Sequence, residues 1–178
     1  LLFCLFAIPF LPFVLPDSII QRFMSIGNLG DSSTSYRVYI WQGVVNMLSD
    51  CFGGGIGIGN DSFKLVYPYY ALSGIETAPH SHNLYLQICV EIGIFGLIVF
   101  LAAMFLYVQG AFTLHTNEKR NMRLLSAAIM CGMLSVLAQG FTDYIWYNYR
   151  VFLMFWLMLG LGVAVRKVLV SSVDEDYI

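Results

Sequence analysis

"IGIFGLIVFLAAMFLYVQGAF", residues 92–112, carries no charged side chain. A helix needs roughly 20 apolar residues to cross a bilayer, and this run supplies them without interruption. Two later segments have the same character. Residues 124–141 are free of charge, and residues 145–165 hold only Arg150 near one end, with Arg166 and Lys167 just beyond the other. Arginines near helix ends can reach the headgroups while their stems stay apolar.

The whole chain agrees with this reading. Its 178 residues are 58% hydrophobic, 16% aromatic and only 11% charged, with a mean hydropathy of +0.73. An ordinary soluble domain carries roughly 25% charged residues. The net charge of −2 offers no basic footprint, which excludes nucleic acid as a partner. Cys4, Cys51, Cys89 and Cys131 are scattered, with neither the density of a disulfide scaffold nor a zinc-binding spacing. Membrane lipids are the surroundings such a chain requires.

The expected fold is therefore all-α: a polytopic bundle of transmembrane helices with a large, partly helical loop. Residues 1–15 are interrupted by Pro9 and Pro12 and lack a basic leader, so they read as the end of a membrane helix in a longer protein and not as a signal peptide. Residues 16–83 form the loop. Residues 84–178 hold three spans, short connections and a C-terminal tail.

Orientation follows from the connections. The turn "HTNEKRNMR" (115–123) carries Lys119, Arg120 and Arg123. The opposite turn, "TDYIWYNY" (142–149), has Asp143, no lysine, and Tyr144, Trp146, Tyr147 and Tyr149. The positive-inside rule and the interfacial preference of aromatics both place the basic turn and the C-terminus in the cytoplasm and the long loop outside.

Loops of that length usually have a task. Within it, residues 32–50 read as a helix, with Ser33, Thr34 and Ser35 offering cap oxygens and Tyr36, Ile40, Val44, Met47 and Leu48 making an apolar stripe. Arg37 and Trp41 are an i, i+4 pair on an adjoining face. The arginine can clamp a phosphate bidentately while the indole sits at the interface, or it can simply pair with headgroups. The glycines of "GGGIGIGN" (53–60) allow close backbone approach, and their successive N–H groups can cup phosphate oxygens. The run is neither a Walker loop nor G-x-G-x-x-G, and an interfacial turn is the plainer account.

His80 and His82 stand one residue apart at the head of the first apolar run. Two imidazoles are one ligand short of the usual catalytic zinc site. Asn83, Gln87 and Glu91 continue from them as an i, i+4, i+8 polar stripe. A polar stripe at the mouth of a membrane helix marks a functional site by default; a solvated turn and a helix cap are the alternative.

In order, "SYRVYIWQGVVNML" (35–48), "GGGIGIGNDSF" (53–63) and "APHSHNLYLQICVEIGIFGLIVFL" (78–101) resemble the C-terminal half of the O-antigen ligase and polymerase family. These are bacterial membrane glycosyltransferases of cell-surface polysaccharide. The resemblance covers about residues 33–105, and the later helices match only in hydropathy. It implies a multi-pass enzyme of the bacterial inner membrane. A glycan on undecaprenyl diphosphate would be transferred to an acceptor hydroxyl at the outer face, without metal, cofactor or nucleotide sugar. The acceptor would be lipid A core, another repeat unit or a protein, depending on the family member.

Carried onto this chain, Arg37 would neutralise the donor diphosphate, and His82 would be the base for the acceptor hydroxyl or a second phosphate-binding group. Trp41, Gly55, Gly57 and Gly59 would line the substrate, with His80, Asn83, Gln87 and Glu91 beside them. The reading from another class is a polysaccharide or lipid exporter component. Exporters place polar groups deep in their spans, whereas here Ser126, Ser135 and Gln139 are the main ones, and the polar chemistry gathers in one loop.

Overall fold

The computed structural model describes residues 16–18, 21, 32–112 and 120–175. The expected end of a membrane helix at 1–15 and Lys119 of the basic turn lie outside the described residues. The chain divides into two compact units, residues 1–39 and 40–178.

The described residues are all-helical, with no strand among them. The helices are α1 (Ser32–Cys51), α2 (Asn60–Val66), α3 (Leu84–Phe112), α4 (Arg120–Gln139) and α5 (Tyr149–Glu175), with single 3-10 turns at Tyr67–Tyr69 and Ile145–Tyr147. In the first unit, the described end is the opening of α1. Ser33, Thr34 and Ser35 lie inside its first turn, where the Ser35 hydroxyl donates to the Ser32 carbonyl at 3.2 Å.

The second unit holds two hydrophobic clusters. One joins α1 to the loop: Ile40, Val44 and Met47 are fully buried against Phe63, Tyr67, Ala78 and Val90. These α1 residues are the middle of the expected stripe, with Leu48 half-buried beside them. Phe63 stacks on Tyr67 at 5.1 Å between ring centres. The loop thus has a core of its own.

The other cluster packs α3, α4 and α5 through Leu84, Ile88, Phe100, Met104, Ile129, Met133, Phe155 and Val165. Trp146 sits among Phe100, Phe152, Phe155 and Trp156 with centroids 5.1–5.8 Å away. Leu84–Gly110 and Tyr149–Val168 are long and apolar enough to cross a membrane; Leu124–Gln139 is a shorter apolar helix. The outward faces are apolar too, with Phe95 at 70% and Val99 at 68% exposure. A water-facing surface rarely carries such a band. The fold is that of a helical membrane-protein fragment.

Two helix boundaries differ from expectation, each for a local reason. α5 starts at Tyr149 instead of 145, because the Asn148 side chain accepts the Arg150 N–H at 3.0 Å and caps the helix there. α3 starts at Leu84 but breaks at Gly93, whose φ of 75° and ψ of 176° are not helical. From Ile94 to Phe112 the helix is roughly 28 Å long at 1.5 Å per residue, the thickness of the hydrocarbon core. The apolar run beginning at 92 therefore coincides with the part beyond the kink.

Candidate functional site

The kink at Gly93 explains the glycine run. Breaking the helix leaves carbonyls without their usual partners, and the turn after α1 supplies donors. Ile56 N–H donates to Val90 O at 2.8 Å and Gly57 N–H to Glu91 O at 3.0 Å. In return Ile94 N–H donates to Phe52 O at 2.8 Å, while Gly55 N–H closes α1 on Cys51 O at 2.8 Å. Gly55, Gly57 and Gly59 all have positive φ. Their backbone makes a joint between loop and membrane helix, and the amides of Gly55 and Gly57 are bonded to protein carbonyls. These two amides therefore serve the turn, the plainer of the two accounts. Gly59 accepts the Ser62 N–H at 3.1 Å at the start of α2.

The polar stripe is turned inward. Gln87 is 1% exposed and Glu91 8%. Gln87 accepts the Ser81 N–H at 2.8 Å through Oε1 and donates through Nε2 to Glu91 Oε1 at 2.9 Å. Asn83 is the N-cap of α3: its Oδ1 accepts the N–H groups of Tyr85 and Leu86, each at 2.9 Å. Its amide nitrogen donates to Phe141 O at 2.9 Å, and Leu84 N–H donates to Gly140 O at 2.7 Å. These side chains fasten the histidine loop to α3 and to the turn after α4. Asn83 and Gln87 build the loop that presents the histidines.

That second turn brings in a residue the sequence reading passed over. Asp143 Oδ1 lies 3.2 Å from His82 Nδ1, across 61 residues of sequence, and also accepts the Tyr144 N–H at 2.8 Å. A carboxylate oxygen is the natural acceptor in this contact, with His82 Nδ1 donating; a neutral ring donating there has its lone pair on Nε2. His82 itself is held at φ 50°, a conformation uncommon outside glycine and a mark of local strain.

His80 is 7% exposed, and its ring lies 4.2 Å from His82, 4.7 Å from Tyr147 and 5.6 Å from Tyr144. Its Nδ1 accepts the His82 backbone N–H at 3.1 Å. Burial, reinforced by the neighbouring His82, pushes its pKa down to about 4, so the ring is neutral at physiological pH. Burial also raises the Tyr144 phenol.

His80, His82 and Asp143 have the chemical make-up of a metal site, with donor atoms within 4.8 Å of one another. Two of these atoms already have partners in this arrangement: His80 Nδ1 accepts an N–H, and the Asp143 oxygen facing His82 accepts two hydrogen bonds. A cation using those two atoms would have to displace those contacts. Asp61 and Glu76 are engaged elsewhere: Asp61 pairs with Lys64 at 3.8 Å, and Glu76 accepts the Gly74 N–H at 2.7 Å, which lowers its pKa.

Arg37 lies on α1 in the first unit and is half-buried. Trp41, one turn on, lies in the second unit's share of α1. Its indole N–H is buried and has no hydrogen-bond partner among the described residues.

A family model described as O-antigen ligase matches residues 1–101. A Rickettsia conorii protein provisionally named a polysaccharide ligase is 26% identical over 152 residues, which cover 80% of this chain. The chain spans 33% of that relative's length. No solved structure is a significant match.

Proposed function

Because the chain belongs to the O-antigen ligase family, we propose that it contributes the acceptor-activating part of a glycosyltransferase in the bacterial inner membrane. The loop up to residue 83 works at the outer face. Its donor is a glycan on undecaprenyl diphosphate, and its acceptor is a hydroxyl on a glycan or on lipid A core. The observation that carries this reading is the His82–Asp143 pair at the head of an apolar span. Ligation is favoured over repeat-unit polymerisation because both the family description and the relative's name are those of a ligase.

The carboxylate orients the imidazole and keeps its lone pair on Nε2, the arrangement that a general base needs. The acceptor oxygen attacks the anomeric carbon, its proton passes to His82 Nε2, and the bond from that carbon to the diphosphate oxygen breaks. Direct displacement inverts the anomeric configuration. Undecaprenyl diphosphate leaves as an anion, and Arg37 stabilises its charge, the electrostatic task a metal performs elsewhere. Trp41 is the aromatic neighbour of that arginine on α1. The lipid tail stays in the bilayer while the sugar is outside, which suits a base at the boundary of a span.

Support for the orientation comes from Leu84 and Gly140, whose hydrogen bond puts the histidine loop and the lysine-free aromatic turn at one end of the bundle. The test uses the full-length protein in membranes with lipid-linked donor and excess EDTA. Transfer that persists in EDTA but falls by about 10²-fold or more in His82→Ala and Arg37→Ala, at equal expression, supports the mechanism. Loss of activity in EDTA alone, restored by a divalent ion, overturns metal independence. Full activity in both variants overturns the residue assignments.

A further inference from the structure

The base mechanism leaves His80 without a task, although it is the more deeply buried histidine of the pair. Burial is not incidental to it. Its ring is enclosed by Tyr144, Tyr147 and the His82 ring. Among the described residues its side chain makes one hydrogen bond, Nδ1 accepting the N–H of His82, two residues on.

That pattern has a known counterpart. In an Asx turn, the side-chain oxygen of an Asn or Asp accepts the N–H of residue i+2 and bends the chain around itself. An imidazole Nδ1 stands at the same distance from the backbone as an Asn Oδ1, one atom beyond Cγ, so a neutral histidine can play the same part. Here the bend delivers His82 at φ 50°, a backbone state that a non-glycine residue keeps only when its surroundings hold it. Neighbouring bonds complete the bend: Ser81 N–H goes to Gln87, and the Ser81 hydroxyl donates to Asn83 O at 2.7 Å.

We propose that His80 is a positioning residue: its neutral Nδ1 replaces the side-chain oxygen of an Asx turn, fixing the left-handed backbone of His82 and aiming the His82 ring between Asp143 and the acceptor hydroxyl. His80 takes no proton in the reaction and binds neither substrate nor metal. The hydrogen bond requires the lone pair on Nδ1, and so the proton on Nε2. The enclosing tyrosine rings explain why an imidazole serves here instead of asparagine: it fills the space between them as well as bonding the backbone.

The inference rests on His82 as the base, and its test separates the two. In the full-length protein, His80→Asn, His80→Leu and His82→Ala are compared for kcat, for donor and acceptor KM, and for hydrogen exchange at the His82 amide. Asparagine restores the Asx turn; leucine keeps bulk and removes the acceptor. Misplacement of a base is expected to lower kcat roughly 10- to 100-fold in His80→Leu with both KM values little changed, while His80→Asn stays within about threefold of wild type. The His82 amide exchanges slowly in wild type and His80→Asn and fast in His80→Leu.

Should His80→Leu fail to fold, His80→Asn decides alone: a drop as large as that of His82→Ala overturns the proposal. So does a rise in KM with kcat unchanged in either His80 variant, because that is the signature of substrate contact. An unprotected His82 amide in wild type overturns it as well. If the exchange pattern holds but His82→Ala remains active, the turn is upheld and the base assignment falls.

Discussion

Replacing Gly93 with alanine attacks the joint between the loop and the membrane helix at one atom. Its φ of 75° and ψ of 176° lie in a region that is essentially glycine's alone, and a side chain there costs about 1–3 kcal/mol before any contact is counted. The new methyl would also run into the Gly53 carbonyl, a backbone atom that cannot swing aside as a side-chain tip can. Relieving that clash separates the turn from α3 and endangers the bonds Ile94–Phe52, Ile56–Val90 and Gly57–Glu91, each worth about 1 kcal/mol net. The expected loss is about 3–5 kcal/mol, a large share of a typical folding free energy of roughly 5–15 kcal/mol. Gly54 is the internal control, since a methyl there meets nothing within 4 Å; Gly54→Ala should stay within about 0.5 kcal/mol. The assay is thermal unfolding of detergent-purified protein, with the fraction remaining monodisperse after heating as a second readout. Equal behaviour of the two variants would refute the interlocked joint.

Acid should loosen the histidine loop. His80, held near pKa 4 against an ordinary 6.5, is protonated more readily in the unfolded chain, so the folded state is fully stable above pH 6.5 and loses up to about 3 kcal/mol as pH falls towards 4. Unfolding temperatures between pH 7.5 and 4.5 check this, and His80→Asn should flatten the decline. Asp143→Asn can offer its N–H to His82 Nδ1 and so move the imidazole proton to Nε2; transfer should fall by about 10²-fold or more with KM nearly unchanged, read in steady-state kinetics. Asn83→Ala removes the N-cap and should cost about 1–2 kcal/mol, whereas Asn83→Asp keeps the cap and loses only the bond to Phe141 O. Comparing their unfolding curves separates the two contributions.

What the sequence discloses depends on how far apart the partners lie. The stripe Ile40, Val44 and Met47 is a local pattern, and those residues are fully buried. The apolar run at 92–112 is also local, and it coincides with the part of α3 beyond the kink. Asp143 is different. It stands in an aromatic turn 61 residues after His82, and nothing in either stretch announces the other. The glycine run is ambiguous for the same reason. Positive φ and bare N–H groups suit a ligand and a neighbouring backbone equally well, and only the break at Gly93 decides between them. Gln87 and Glu91 gave the correct face of the helix, but periodicity does not reveal whether a polar face meets a substrate or the protein's own loop.

The 61-residue gap between histidine and carboxylate also sets a schedule for synthesis. When the loop and α3 have left the ribosome, His82 has its cap, its bend and its membrane anchor but no acid to orient it. The carboxylate arrives only after α4 has formed and the chain has turned again, so the pair is a late, non-local contact of the kind that slows folding. A nascent or truncated chain ending before residue 143 would reach the bilayer without the carboxylate beside His82 and without the Tyr144 and Tyr147 rings around His80. The role proposed for His82 would thus be tied to completion of the helical hairpin.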